Sequence, residues 1–185
     1  MIKPLVLATL LLGAAGTSAA AQTLAPGKSS LEFTFSQMGG KVDGNFKGYT
    51  GKINFDPAKP EKAQAQLEVD LNTIDVGGAD GNAEAKKKAW FNVAAFPKAT
   101  FTATSVKALG SGKFDVKGKL TIKGISRDVG GPLTATQSGD QLELKGSVAV
   151  KRLAFQLGEG AWADTDTVGD DVTIRYKLVL IGKAD

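Results

Sequence analysis

"DVTIRYKLVLI", residues 171–181, places Val172, Ile174, Tyr176, Leu178 and Leu180 on one face and Asp171, Thr173, Arg175 and Lys177 on the other. Alternation with period two is the mark of a half-buried β-strand. The stretch is long and rich in Val, Ile and Leu, as expected of a strand paired on both sides. Working back along the chain, the same rhythm recurs. "QLELKGSVAV" carries Leu142, Leu144, Val148 and Val150, and "KFDVKGKLTI" carries Phe114, Val116, Leu120 and Ile122. Before them come "ATFTATSV" (Phe101, Ala103), "AQLEVDL" (Leu67, Val69, Leu71), "GNFKGYTGKINF" (Phe46, Ile53, Phe55) and "SLEFTF" (Leu31, Phe33, Phe35). With "PLTATQ" these predict eight strands, joined by turn signals such as "GSGK", "SGDQ" and "FDPAKP".

Strands with one apolar face can close into a barrel or pack as a sandwich. The long closing strand favours the barrel, and so do the glycines inside "GNFKGYTG" and "VGGPL". Glycine within a strand permits a tight bend or a close backbone approach. The expected fold class is therefore all-β, an eight-stranded antiparallel β-barrel. Such a barrel is just wide enough to be filled by its own side chains or to hold one slim ligand. A single segment breaks the alternation. "GADGNAEAKKKAWF" predicts one short helix over roughly 80–90, between strands 3 and 4, with Asp80 or Asn82 as N-cap, Glu84 in the first turn and lysines in the last.

The first 21 residues read as a leader rather than as part of the fold. Lys3 supplies a basic start, "PLVLATLLLGAAG" an apolar stretch, and Ala19–Ala21 a small-residue cleavage site. The apolar run is too short to span a membrane, which takes about 20 apolar residues, and no Cys stands near the site to carry a lipid. The expectation is cleavage near Ala21, one domain over 22–185, and a soluble product exported to a bacterial periplasm. The net charge of +4 is spread out, with Lys86–Lys88 the longest basic run, and no basic stripe with interleaved aromatics suggests nucleic acid. The chain has no Cys and no His, which removes a disulfide framework, the commonest general base and the commonest metal ligand.

Four segments in order resemble the YceI family of exported bacterial proteins, also described as polyisoprenoid-binding or lipocalin-like. They are "FTFSQMGGKVDGNFKGYTGKINFD", "FPKATFTA", "VKGKLTIKGISRDV" and "VKRLAFQLGEGAWADTDTVGDDVTI", and the resemblance runs from about Lys28 to Ile181. It implies a lipocalin-like barrel with an elongated apolar cavity, a long isoprenoid ligand with a quinone-type or prenyl-phosphate head, periplasmic location, frequent homodimers, only transient membrane contact, and no catalysis. Many members carry a His where this chain has Gln37. Gln37 can hydrogen-bond a neutral carbonyl but cannot become cationic, which leans toward a quinone-like head.

Alternation nominates Phe33, Phe35, Phe46, Phe101, Phe114, Val116, Leu120 and Leu144 as cavity lining. The same residues would also fill a solid barrel, and the two cases look alike in sequence. Trp90, Phe91 and Phe96 stand where the helix hands over to the fourth strand, with Pro97 resetting the chain to an extended course. They form either a plug over one barrel end or a gate beside an entrance. Trp162 sits in a Gly- and Asp-rich stretch read as a solvated mouth loop. Arg152 can face an anionic headgroup or pair with a nearby aspartate. Asp164, Asp166 and Gly169 fall at positions 1, 3 and 6 of a Ca²⁺-loop pattern, but Val168 and Arg175 occupy positions 5 and 12, so no metal is expected.

Three other classes compete. An enzyme would have to rest on carboxylates, Lys, Tyr or Ser, and the adjacent Asp170 and Asp171 point to opposite faces of a strand. An outer-membrane barrel fits the strand count. Its outward face, however, would have to place Glu32, Lys113, Asp115, Lys117, Glu143, Lys145 and Lys177 against lipid, and the chain lacks a terminal aromatic. A stress-related structural or interaction module with a filled barrel remains open.

Overall fold

The computed structural model describes residues 22–184, so the leader expected over 1–21 lies outside the described residues. Eleven strands form one antiparallel sheet. They are β1 (Thr23–Leu24), β2 (Ser30–Gln37), β3 (Gly40–Phe46), β4 (Tyr49–Asn54), β5 (Gln64–Asp70), β6 (Ile74–Asp75), β7 (Lys98–Gly110), β8 (Lys113–Ile122), β9 (Ile125–Ser138), β10 (Gln141–Lys151) and β11 (Asp171–Ile181). The order is β4-β5-β7-β8-β9-β10-β11-β2-β3-β6, with β1 added on β11. β11 pairs along its whole length with β10 and over Thr173–Lys177 with β2, which explains its apolar richness.

Each of the eight expected segments is found in this sheet, one of them as two strands, and two further short strands bring the count to eleven. "GNFKGYTGKINF" is not one straight strand but bends at Lys47–Gly48. Its first part, in β3, pairs with β2, and its second part, β4, pairs with β5. The bend thus joins the two flanks of the curled sheet through the chain itself. Gly48 stands where an added Cβ would lie 2.7 Å from the Thr73 methyl, so only glycine lets the corner pack. β1 and β6 are two-residue strands too short to leave a sequence signal. β1 lies between β11 and the free edge of β4. There the Gln22 side-chain amide pairs with the Phe55 backbone, donating to its carbonyl at 3.1 Å and accepting from its N–H at 2.8 Å.

The helix is shorter than expected. α1 spans Ala79–Lys86 with Gly78 as N-cap and no side-chain cap. Asn82 is not a cap; it accepts from the Val76 N–H at 2.7 Å and fixes the approach to the helix. Beyond Lys86 the N–H groups of Phe91 and Val93 turn back to the carbonyls of Ala85 and Lys86 at 3.0 Å each. This folds the aromatic segment inward instead of continuing the helix.

Two separate apolar clusters hold the two ends of the barrel. One contains Phe55, Phe114, Leu142 and Leu180, with the Phe55 and Phe114 rings edge to face at 5.1 Å. The other contains Leu71, Val93, Ile122, Phe155 and Leu157, packed under α1 and the following turns. The outer face is polar and carries ion pairs such as Lys145–Glu143 at 2.7 Å and Lys119–Asp128 at 3.0 Å. Apolar inside and charged outside is the reverse of what a lipid-facing barrel requires.

Candidate ligand cavity

Between the two clusters the barrel is hollow. The interior space is about 570 Å³ and is lined almost wholly by apolar side chains. That volume falls in the roughly 300–1,000 Å³ range of small-ligand pockets. The inward-facing residues of the middle strands show the same thing from another side. Leu67, Val69, Phe101, Val116, Leu120, Val148, Ile174 and Tyr176 all line the space and are only half-buried, whereas Phe114, Leu142 and Leu180 at the closed end are buried. A filled barrel would bury the middle residues as completely as the end ones.

Glycines on the inner wall help to keep the middle open. A Cβ at Gly44 would meet the Phe33 ring at 2.4 Å, and a Cβ at Gly146 would meet the Tyr176 hydroxyl at 2.3 Å. A Cβ at Gly118 would meet the Phe101 ring at 2.3 Å. These rings therefore lie back over glycine, along the wall, instead of projecting into the space. β7 also carries a bulge between Ala103 and Ser105. It resets the alternation, so Val106 rather than Ser105 lines the cavity.

Of the eight lining residues expected from sequence, Phe33, Phe35, Phe46, Phe101, Val116, Leu120 and Leu144 border the cavity. Phe114 does not. It belongs to the closed-end cluster, where its ring packs against Phe55 and is 3% exposed. Four rings form a connected row along one side. Phe35 and Phe33 stack at 6.3 Å, Phe33 and Phe46 lie 5.3 Å apart, and Phe46 meets Phe91 edge to face at 6.1 Å. Sequence reasoning passed over Tyr176, Ile174 and Val148 as lining, although their places in the alternation marked them as inward.

The capped end is built from α1, the aromatic turn after it and two 3₁₀ turns, Arg152–Phe155 and Gly160–Ala163. Trp90, Phe91 and Trp162 line the cavity there, with the two indoles 5.7 Å apart. Phe96 does not join them. It is a surface residue packed over Gly124 of the β8–β9 turn. The segment around Trp162 is exposed over 159–161 and 163–166, as expected of a mouth loop, but it is ordered. Val168 is 2% exposed, and Asp164 organises the turn by accepting from the Asp166 N–H at 3.0 Å and the Thr167 hydroxyl at 2.9 Å. Those hydrogen bonds hold the Asp164 carboxyl below its ordinary pKa. Among the described residues no cluster of acids could hold a metal ion.

Arg152 is the organiser of this end. It is 2% exposed, lines the cavity, and forms no ion pair with an aspartate side chain. Its Nη1 donates to the Leu157 carbonyl at 2.7 Å, and its Nη2 donates to the Trp162 and Val168 carbonyls at 2.8 and 2.6 Å. Its Nε donates to the Gly169 carbonyl at 3.1 Å, and the guanidinium lies 5.4 Å over the Trp90 ring. Burial lowers its pKa from the ordinary value, and the nearby Asp170 opposes that shift. A cation so fully engaged with carbonyls is a staple for the cap. Gln37 at the end of β2 and Asp80 and Gly81 on α1, all exposed, border the cavity at this end. Glu84 lines it one turn further along α1. Apart from the engaged Arg152, the polar border at this end is neutral to acidic.

The buried lining includes one strongly perturbed acid. Burial pushes the Tyr176 phenol up to about 12 and raises Tyr49 as well. Unfolding returns each phenol to about 10, so between pH 10 and 12 the unfolded chain holds fewer protons and stability falls as pH rises. Tyr176→Phe is expected to remove about 2–3 kcal/mol of that alkaline loss. Denaturant midpoints measured at pH 9 and pH 11.5 for the two proteins would show it. An equal alkaline loss in the variant would contradict the burial of this phenol.

Comparison with known proteins follows the same lines. Residues 22–180 match the family model for the YceI-like domain. The chain belongs to the YceI-like family. It is 33% identical over 130 residues to a UPF0312 protein of Ectopseudomonas mendocina, which covers 66% of this chain and 68% of that one. It is 35% identical over 86 residues to Protein YceI of Salmonella arizonae, covering 46% of this chain and 44% of that protein. The match to that YceI protein therefore spans under half its length. Among solved structures, BcnA of Burkholderia cenocepacia superposes with a TM-score of 0.82 at 36% identity, over 84% of this chain and 98% of that one. A polyisoprenoid binding domain from Saccharophagus degradans shares the fold, with a TM-score of 0.72 at 20% identity over 88% of this chain and 98% of that domain. The lipocalin-like barrel implied by the sequence is therefore the fold of this YceI-like chain.

Proposed function

We propose that this YceI-like protein is a non-catalytic carrier that holds a long-chain isoprenoid lipid lengthwise in its barrel, its neutral, quinone-like head at the capped end. The observation that carries the reading is the hollow middle. Seven of eight alternating apolar residues border about 570 Å³ of space. The name of the Saccharophagus degradans domain, a polyisoprenoid binding domain, supports the ligand class by likeness of fold.

Energetics shape what such a carrier must do. Each buried CH₂ gains about 0.8 kcal/mol relative to water. A lipid drawn from a bilayer starts in an equally apolar medium, so the net transfer is near zero. Packing against the row of Phe35, Phe33, Phe46 and Phe91 and contacts to the head then decide affinity. The acidic border of the capped end, with Asp80 and Glu84, and the engaged Arg152 favour a neutral head over a pyrophosphate. Removal of residues 1–21 and periplasmic residence belong to the same proposal and rest on the leader-like sequence and the family resemblance, while transient membrane contact and pairing as a homodimer rest on that resemblance alone.

The test is reloading. Protein stripped of lipid by unfolding in organic solvent and refolded is titrated with a polyprenyl quinone while the fluorescence of Trp90 and Trp162 is followed. Saturable quenching at one ligand per chain is expected. No change up to the solubility limit of the quinone would refute the carrier reading.

A further inference from the structure

Within the barrel wall β9 and β10 separate. Their ladder runs from the hairpin turn only as far as Gly146 opposite Leu133. Beyond that point residues 125–132 of β9 stay paired with β8, and residues 147–151 of β10 stay paired with β11, but the two stretches do not pair with each other. The sequence at the fork accounts for the break. In "VGGPL", residues 129–133, the next ladder position would set Pro132 opposite Ser147, and proline has no N–H to extend a ladder. A Cβ at Gly131 would run into the Ser147 carbonyl, so only glycine lets the strands cross this closely before they diverge. The split borders the cavity. Val129 and Gly130 on one flank and Val148 and Val150 on the other line the interior space, and Gly130 is exposed as well. At its far end the split meets the 3₁₀ turn Arg152–Phe155, which lies beside β9. Other routes are shut. Phe55, Phe114, Leu142 and Leu180 seal one end, and Arg152 staples the cap through four carbonyls. β1, with the Gln22–Phe55 amide pair, covers the free edge of β4. Opening any of these breaks packed contacts or hydrogen bonds, whereas widening the split breaks no ladder pair.

We propose that the split between β9 and β10 is the portal through which the apolar chain of the ligand enters and leaves the barrel, sideways between the strands and not through either end. The proposal rests on the carrier reading and adds to it the route. A long chain passes a slot flanked by Val129, Val148 and Val150 side-on, without threading its whole length past the cap.

The test is to tie the split shut. The chain has no Cys, so engineered thiols are unique. Ala149→Cys with Asp128→Cys places two thiols on exposed outward positions of the two flanks, giving up only the exposed Lys119–Asp128 pair. A bis-maleimide reaching about 10 Å, two strand spacings, bridges them. Ala149→Cys with Thr173→Cys is the control, since these exposed residues are ladder partners in β10 and β11. Exchange of a polyprenyl quinone with detergent micelles is followed by stopped flow through the fluorescence of Trp90 and Trp162. The bridge from β9 to β10 is expected to slow uptake and release alike, by about tenfold or more, and to leave the equilibrium affinity unchanged. A blocked route scales both rates by one factor, whereas damage to the cavity changes the affinity. The control bridge should leave both rates as they are. If the first bridge does not form, Ala149→Cys carrying a bulky maleimide decides, and should slow both rates where the same label on Thr173→Cys does not. Parent rates in the bridged or labelled protein, or equal slowing in the control, would overturn the portal and leave the carrier intact. Failure of the parent protein itself to bind the quinone would overturn both.

Discussion

Arg152→Met is expected to melt about 6–20 °C below the parent protein. The guanidinium is buried and satisfies the carbonyls of Leu157, Trp162, Val168 and Gly169. None of these carbonyls belongs to a β-ladder that could replace it. Leaving a buried acceptor unpaired costs about 1–3 kcal/mol. Partial relaxation and entry of water bring the sum for the cap to about 3–5 kcal/mol. For a domain of this size each kcal/mol lowers the melting temperature by about 2–4 °C. Methionine fills similar volume, so the loss reports on hydrogen bonding rather than on a void. Arg152→Lys keeps the charge but cannot reach four carbonyls at once, and is expected to recover less than half of the loss. Differential scanning calorimetry of the three proteins decides, and a methionine variant within 2 °C of the parent would show that the cap does not depend on this side chain.

Ala103→Trp is expected to weaken polyprenyl quinone uptake by about 100-fold and to leave the melting temperature near that of the parent. Ala103 faces inward from β7, half-buried, against empty space and not against packed neighbours. In a filled core an added indole would cost about 1–3 kcal/mol or more through overpacking. In a hollow barrel it takes up space that the ligand would otherwise use. Because transfer from a bilayer is close to balanced, lost packing has nothing to offset it. Thr102→Trp is the control, since Thr102 points outward and is exposed. It should bind as the parent does. A fall in stability of Ala103→Trp without loss of binding would mean that the interior is packed and the ligand sits elsewhere.

What was legible in the sequence was whatever alternation controls. Period two in eight segments named the strands, their inward faces and the all-β barrel, because side-chain direction in a strand follows from parity alone. Parity fails where the ladder slips. The bulge after Ala103 exchanges Ser105 for Val106, and nothing in "ATFTATSV" marks it. Alternation also gives no position along the barrel axis. Phe114 and Val116 share a face, yet the first closes the end and the second lines the cavity, a difference set by how strands shear past one another. Arg152 was misread as a partner for an aspartate because a cation near aspartates suggests a carboxylate. Its real partners are backbone carbonyls brought together by two 3₁₀ turns that have no pattern of their own. The bend at Gly48 and the seats at Gly44, Gly118 and Gly146 were visible only as glycines, since what a missing Cβ makes room for depends on the opposite strand.

Hollow or filled is the question on which the account turns, and native mass spectrometry of the mature protein, purified from its host without delipidation and then extracted into organic solvent, addresses it most directly. The account predicts a complex heavier than the bare chain by one polyprenyl lipid, and recovery of that lipid, with a neutral head, in the extract. A bare chain mass, with no lipid in the extract and no uptake of added quinone, would contradict it.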